Sequence, residues 1–323
     1  MSAKPNPRLK PAALQAGDTI AVVAPASPFN KQSFELSCAS WRNQGYKVVF
    51  DESLFDREAP YFAGSAKQRA ENIEEMFART DVRAIICARG GYGCNYLLEK
   101  IDLDVVRNHP KIFMGYSDVT TLLTWFHDAA GLVTFHGPMM NKDFSTDDGI
   151  HRLSLTAALG GAAQWNLGGA AGLEPVVAGR AEGNMYGGCL SMLAASLGTP
   201  YEIRTEDVIL FMEDVSAKPF QVDRMLMQMK LAGKFKGVRG MVFGEMLDCR
   251  QSDDQQYQLQ DVVNRVVGDL GVPVAYGLRS GHVSHGNVTL PIGVRAALNV
   301  GSQASLSFLE AATTSTAATA RKS

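Results

Sequence analysis

The stretch Pro110-Lys-Ile-Phe-Met-Gly-Tyr-Ser-Asp-Val-Thr-Thr-Leu-Leu123 decides the fold. Ile112, Phe113 and Met114 form an apolar run too short for a helix and suited to a buried strand. From Val119 the apolar residues Val119, Leu122, Leu123 and Phe126 recur at i, i+3, i+4 and i+7, the spacing of a helix. Ser117 falls in the turn between them, where a hydroxyl projects from the strand's carboxyl edge and the next helix begins with unpaired N–H groups. Such a turn exposes a nucleophile and offers an oxyanion donor from Asp118. It echoes the nucleophile elbow, although Gly115-Tyr-Ser-Asp-Val119 is not G-x-S-x-G. Serine and aspartate also cap helices, and the stretch taken alone favours that plainer role.

Upstream, Thr19 to Ala24 is an apolar, β-branched run closed by Pro25-Ala-Ser-Pro28, a buried strand with a turn at its carboxyl end. A helix with Phe34, Cys38 and Trp41 on one face follows, then a strand at Lys47–Phe50. Ser65 to Arg79 is an amphipathic helix, and Ala84–Ala88 a strand running into Arg89-Gly-Gly-Tyr-Gly93. A further strand lies near Val133–Phe135. This alternation describes a doubly wound parallel sheet, whose ligands bind beyond the carboxyl ends of the strands. Pro25–Ser27, Arg89–Gly93 and Tyr116–Ser117 all fall there and can share one crevice.

Downstream the pattern changes. The run 160–172 is rich in glycine and alanine and reads as an interdomain linker or a mobile loop. Beyond it, short strands at Val176–Ala178, Val208–Glu213, Met241–Gly244, Val288–Pro291, Val294–Val300 and Ser305–Leu309 alternate with three helices as a mixed α+β domain. The expected division is residues 14–160, a linker 161–174, a second domain 175–310 and a disordered tail 311–323.

Composition narrows the function. The 323 residues, 46% apolar and 20% charged, carry 31 Lys plus Arg against 33 Asp plus Glu, a balance that does not suit nucleic acid or an anionic membrane surface. No apolar run approaches the ~20 residues of a membrane span, and Met1–Lys10 lacks the apolar core of a signal peptide. The five scattered cysteines read as reduced core residues of a cytoplasmic protein.

A serine nucleophile needs a base, and the base needs a carboxylate to fix its tautomer. Of six histidines, His109, His127 and His151 suit solvated positions, and His136, in Phe135-His-Gly-Pro138, suits a structural hydrogen bond near the crevice. His282, in a glycine-containing turn, is placed to reach outward. Glu213 ends the run Val208–Met212, so a charge terminates a buried strand, which is costly unless the carboxylate is hydrogen-bonded. In the loop Arg89–Gly93, Gly91 can bring a backbone N–H to an oxyanion; a plain tight turn fits equally well, and no phosphate-loop pattern is present. His282 and His285 form an H-x-x-H pair with no further ligand at metal spacing, so no metal is expected. Cys87, inside a strand, suits a nucleophile poorly.

In this order, Arg89–Gly93, Pro110-Lys111, Gly115–Asp118 and Phe135–Pro138 resemble the N-terminal half of the LD-carboxypeptidase family. Gly198-Thr-Pro-Tyr201, Leu210–Asp214, Asp223–Leu226, Gly281-His282 and Leu290–Gly293 resemble its C-terminal half. The resemblance implies a flavodoxin-like N-terminal domain plus a C-terminal swivelling β/β/α domain, commonly as a homodimer. It implies a triad of Ser117, Glu213 and His282, with backbone N–H groups of Gly91 and Asp118 as the oxyanion hole and no cofactor. The implied reaction releases D-Ala from murein tetrapeptide during peptidoglycan recycling. Rivals are the microcin C self-immunity branch, which hydrolyses aminoacyl-adenylate analogues, and a non-catalytic muropeptide- or nucleotide-binding protein. Glu213-Asp214 looks more like the carboxypeptidase branch than the Glu-Thr of the immunity branch. The chain departs from the family at Asp214-Val-Ser-Ala-Lys-Pro-Phe220, where D-V-x-E-x-P-Y is frequent, and at Gly187-Gly-Cys-Leu190, where the family has G-G-N-L.

Overall fold

A computed structural model describes residues 8–58, 61–251 and 257–315. The first half contains β1 (Thr19–Val23), α1 (Lys31–Asn43), β2 (Lys47–Val49), α2 (Ala66–Ala78), β3 (Val82–Cys87), α3 (Leu103–Asn108), β4 (Ile112–Gly115), α4 (Thr120–Trp125), β5 (Thr134–His136) and α5 (Arg152–Gly160). Then come β6 (Trp165–Leu167), β7 (Glu174–Val177), β8 (Gly179–Cys189), α6 (Leu190–Ala195), β9 (Val208–Glu213), α7 (Pro219–Leu231) and β10 (Gly240–Gly244). The chain closes with α8 (Leu259–Val267), β11 (Val274–Leu278), β12 (Leu290–Ile292), β13 (Arg295–Val300) and β14 (Ala304–Phe308).

The first sheet runs β12-β5-β4-β3-β1-β2. Its parallel portion has the flavodoxin-like order 2-1-3-4-5, and the switch between β1 and β3 opens a crevice at the strands' carboxyl ends. Helices cover both faces because buried strand residues alternate. Ile20 and Val22 pack with Phe34, Cys38 and Trp41 of α1, whereas Ala21 and Val23 pack with Ala70, Ile73 and Phe77 of α2. Asn30 and Ser65 cap these two helices through side-chain oxygens, which accept from the N–H groups of Ser33 and Gln68.

The second sheet, β6-β14-β13-β8-β9-β10-β11-β7, is parallel from β8 through β11 and antiparallel outside it. Along β9, Val208, Leu210 and Met212 pack beneath α6, α7 and α8. Ile209 and Phe211 face the other way, into the core shared with the first sheet. Period-two alternation therefore aims the next odd residue, Glu213, at the first sheet.

Several expectations change. The run 160–172 is not a bare linker, because Trp165–Leu167 pairs with β14 and the Trp165 ring stacks on Phe308 at 4.2 Å. The strand expected at Val288–Pro291 leaves the second half and completes the first sheet, antiparallel to β5. The expected tail begins ordered: Ala312 and Thr313 are buried and the Thr314 N–H donates to the Pro11 carbonyl at 2.8 Å, while 316–323 lie outside the described residues. The long central β8 escaped notice because glycine occupies four of its positions. At Gly187 the φ is +126° and any Cβ would strike the Phe211 carbonyl, so close approach to β9 requires glycine. Among the described residues no helix is long and apolar enough to cross a membrane.

Candidate active site

Ser117 follows β4, and it does not cap. The residue stands at φ +64°, a left-handed conformation that costs a side-chain-bearing residue about 1–2 kcal/mol. Neither Ser117 nor Asp118 makes a side-chain cap for the helical turn that begins there. The Asp118 carboxylate turns away and accepts from the Cys94 N–H at 2.8 Å, holding the far end of the glycine-rich loop. The plainer reading of this turn is thereby removed, and the strain marks a site where backbone geometry serves something other than stability.

The loop after β3 lies against it. A Cβ on Gly90 would sit 2.7 Å from Ser117 Cβ and 2.9 Å from its Oγ, so only glycine leaves room for the hydroxyl. Gly91 stands at φ +108°, and a side chain there would strike Ser27 Oγ. Ser27 ties the loop to the end of β1: its N–H donates to Gly90 O at 3.2 Å, and its Oγ accepts from Tyr92 N–H at 3.1 Å. Beneath the loop, buried Arg69 of α2 donates to the carbonyls of Gly64, Pro25 and Gly93. One guanidinium thus fixes both turns.

Glu213 arrives from the second sheet, fully buried. Its Oε2 accepts from the His282 backbone N–H at 3.0 Å and lies 2.9 Å from His282 Nδ1. Two glycines make the space: Cβ atoms on Gly281 and Gly244 would come within 2.5 Å of the Glu213 carboxyl carbon and 2.6 Å of its Cβ. The His282 ring meets Tyr116 edge to face, centroids 5.1 Å apart. Burial alone would push the Glu213 carboxyl up, but His282 foremost, with His136, outweighs it and holds the group well below the usual carboxylate range. For His282 burial pulls down, yet Glu213, with Asp214 behind it, prevails and the imidazole is raised. The carboxylate therefore stays ionised, and positive charge on the ring is favoured.

Ser117, His282, Gly90, Gly91, Arg89 and Lys142 line one cavity of about 550 Å³. Among the described residues no hydrogen bond joins Ser117 Oγ to His282. Of the five residues singled out by sequence, Ser117, Gly91 and His282 line this cavity, Glu213 is buried against His282, and Asp118 follows Ser117 with its carboxylate turned to Cys94.

Three features were missed. His136, at the end of β5, does make the expected structural hydrogen bond, Nδ1 to Ser280 Oγ at 2.9 Å. It also places Nε2 3.7 Å from Glu213 Oε1, outside hydrogen-bond reach. Its register pairing with Gly115, two residues before Ser117, brings it there, and no local pattern in the sequence signals that pairing. Lys142 belongs to no motif. Cys189 pairs with Glu213 in the parallel register of β8 and β9, so Cys189, Glu213 and His282 offer ligand atoms within 4.8 Å of one another. The H-x-x-H pair does not converge in this way: His285 instead approaches Ser284 Oγ at 3.0 Å. His127, expected in solvent, is half-buried; burial lowers its pKa to about 4, and its Nδ1 lies 3.2 Å from the Leu132 carbonyl.

Two family models match the chain. The LD-carboxypeptidase N-terminal domain matches residues 20–137, and the LD-carboxypeptidase C-terminal domain matches residues 182–298. The chain belongs to the LD-carboxypeptidase family. It is 37% identical to the "Probable murein peptide carboxypeptidase" of Bacillus subtilis across 90% of this chain and 91% of that one. It is 28% identical to the murein tetrapeptide carboxypeptidase of Pseudomonas aeruginosa across 86% and 92%. The Escherichia coli microcin C7 self-immunity protein MccF is also 28% identical, across 89% and 92%. The muramoyltetrapeptide carboxypeptidase of Oxalobacter formigenes superposes with a TM-score of 0.80 at 27% identity, covering 91% of this chain and 99% of that one.

Proposed function

We propose that this member of the family is a cytoplasmic serine LD-carboxypeptidase that removes the C-terminal D-Ala of murein tetrapeptide in peptidoglycan recycling. The observation that carries the reading is the strained Ser117 sharing a cavity with His282, whose Nδ1 side is held by Glu213. With Nδ1 occupied by the carboxylate, Nε2 is the nitrogen free to take the Ser117 proton. Ser117 Oγ then attacks the carbonyl preceding D-Ala, and His282 returns the proton to the leaving amine. Water hydrolyses the acyl-enzyme by the same path. Backbone N–H groups of Gly91 and Asp118 would receive the oxyanion, one from a loop and one from the residue after the nucleophile. No metal or cofactor enters these steps.

A carboxypeptidase must also read a terminal carboxylate, and the cavity carries two cations, Arg89 and Lys142. Arg89 is anchored on the Pro28 carbonyl at 2.8 Å and Lys142 on the Val283 carbonyl at 3.0 Å, which sets both charges at its rim. On this reading residues 14–160 supply the nucleophile, 175–310 supply Glu213 and His282, and the molecule works as a homodimer.

Incubation with murein tetrapeptide, with Ser117→Ala as control, tests the reaction through free D-Ala. Release that vanishes in the variant supports both reaction and nucleophile. A folded wild type that releases none overturns it in favour of aminoacyl-adenylate analogues, and function retained by Ser117→Ala points to a binding protein.

A further inference from the structure

Cys189 is a departure from the family at a position that geometry makes consequential. The parallel register sets Cys189 directly beside Glu213, and both are buried. Cys189 Sγ, a Glu213 carboxylate oxygen and a His282 ring nitrogen all lie within 4.8 Å of one another. In the family pattern asparagine fills this place, and an amide would be a poor partner for a soft cation. Here a thiol, a carboxylate and an imidazole converge, the ligand types that zinc prefers.

We propose that Cys189, Glu213 and His282 form an inhibitory site for a thiophilic divalent cation, Zn²⁺, built on the catalytic pair. Tetrahedral bonds of ~2.0–2.3 Å place ligand atoms about 3.3–3.8 Å apart, so Cys189 Sγ needs to close on the pair by no more than about an ångström while Glu213 Oε2 and His282 Nδ1, now 2.9 Å apart, open by a few tenths of one. Water completes the coordination. His282 lines the cavity and gives the ion its approach.

The proton balance explains the inhibition. Zinc–sulfur bond formation releases the Cys189 thiol proton to solvent. When the ion takes His282 Nδ1, the hydrogen on that atom moves to Nε2. An imidazole protonated at Nε2 and metallated at Nδ1 has no lone pair left to accept the Ser117 proton. At the same time the Glu213 contact to the ring is replaced by a bond to metal. Oxygen-preferring cations such as Mg²⁺ gain nothing from the thiolate and do not compete.

Metal binding itself is independent of the function proposed above; its inhibitory consequence rests on that reading. The test therefore has two readouts on the full chain. Co²⁺ is titrated as a spectroscopic probe, following the near-ultraviolet cobalt–thiolate charge-transfer band and its displacement by Zn²⁺. D-Ala release is measured in parallel over a Zn²⁺ series, with Mg²⁺ as control and chelation to test reversal. Wild type is expected to show the band and reversible inhibition by Zn²⁺ alone. Cys189→Asn and Cys189→Ser are expected to lose the band and to need at least roughly a hundredfold more Zn²⁺ for inhibition, since a direct ligand is removed where outer-shell losses already cost 10–100-fold. Two variants guard against one that misfolds. Absence of the band in wild type, or a band or zinc sensitivity unchanged in both variants, overturns the proposal. If no D-Ala is released by any protein, the band still decides the metal site, and only the proposed reaction fails.

Discussion

Replacing Glu213 with glutamine isolates what the buried carboxylate contributes. The amide keeps the shape and the enclosure between Gly244 and Gly281, and its oxygen can still accept from the His282 N–H now 3.0 Å from Oε2. What disappears is the charge 2.9 Å from His282 Nδ1. Two consequences follow from that one change. First, a charge-assisted hydrogen bond of about 1.5–3 kcal/mol becomes a neutral one of about 0.5–1.5 kcal/mol, and the amide can equally present its NH₂ and reverse the ring's tautomer. Loss of the tautomer-fixing carboxylate in a serine triad costs about 10⁴-fold in kcat, or about 5.5 kcal/mol. A loss between about 10³ and 10⁴ is expected here, because the backbone N–H of His282 still orients the loop.

Second, the pH profile must move in a known direction. Glu213 raises the His282 pKa against burial, which alone lowers it. The base works as neutral imidazole, so kcat/KM rises with pH through the His282 pKa. Removing the carboxylate lowers that pKa and shifts the rising limb to lower pH. Steady-state D-Ala release from murein tetrapeptide between pH 4.5 and 9 measures both effects at once. The reasoning is refuted by a Glu213→Gln enzyme that retains more than about a tenth of wild-type kcat, or whose rising limb stays in place or moves upward.

Other outcomes follow from the same geometry. Ser117→Ala and Ser117→Gly should both be inactive, but the glycine variant should be the more stable by about 1 kcal/mol in urea unfolding, since only glycine relieves the cost of φ +64°; equal stabilities would contradict strain at this turn. Gly281→Ala should lose activity by at least roughly tenfold while remaining folded by circular dichroism, because its Cβ would come 2.5 Å from the Glu213 carboxyl carbon and push the group off His282. Lys142→Gln should raise KM for the free-acid peptide about tenfold or more and leave an amidated peptide unaffected, a charge-assisted contact being worth about 1.5–3 kcal/mol; equal effects on both peptides would remove Lys142 from carboxylate recognition. In stability, the depressed Glu213 contributes above the unfolded carboxylate range and is lost as pH falls. The raised His282 contributes below its unfolded pKa of about 6.5 and is lost as pH rises through its folded value. Thermal unfolding should therefore show a maximum between these limits that flattens in Glu213→Gln.

What could be read from sequence and what could not divide along a physical line. The crevice was legible because parallel strands leave short apolar runs followed by glycine and serine turns, and the carboxyl ends of such strands lie on one edge. Ser117 stood out for that reason, and Glu213 because a charge at the end of Val208–Met212 needs a partner. The partner's identity depended on a contact between residues 69 positions apart, which no local pattern carries. His136 and Cys189 were obscured in the same way: Cys189 flanks Glu213 through the pairing of β8 with β9, and His136 reaches it from β5 across the packing of the two sheets. The glycines of β8 look like turn residues until β9 is laid against them, when they become the condition for a strand to run close enough to bring Cys189 beside the carboxylate. The antiparallel addition of β12 to the first sheet was equally hidden, yet it brings the segment just after His282 into contact with the sheet that carries Ser117. The elements that carry Ser117 and His282 are thus joined by strand exchange as well as by packing. A hinge motion that separates them must act on the β5–β12 ladder, where Leu290 pairs with His136 itself.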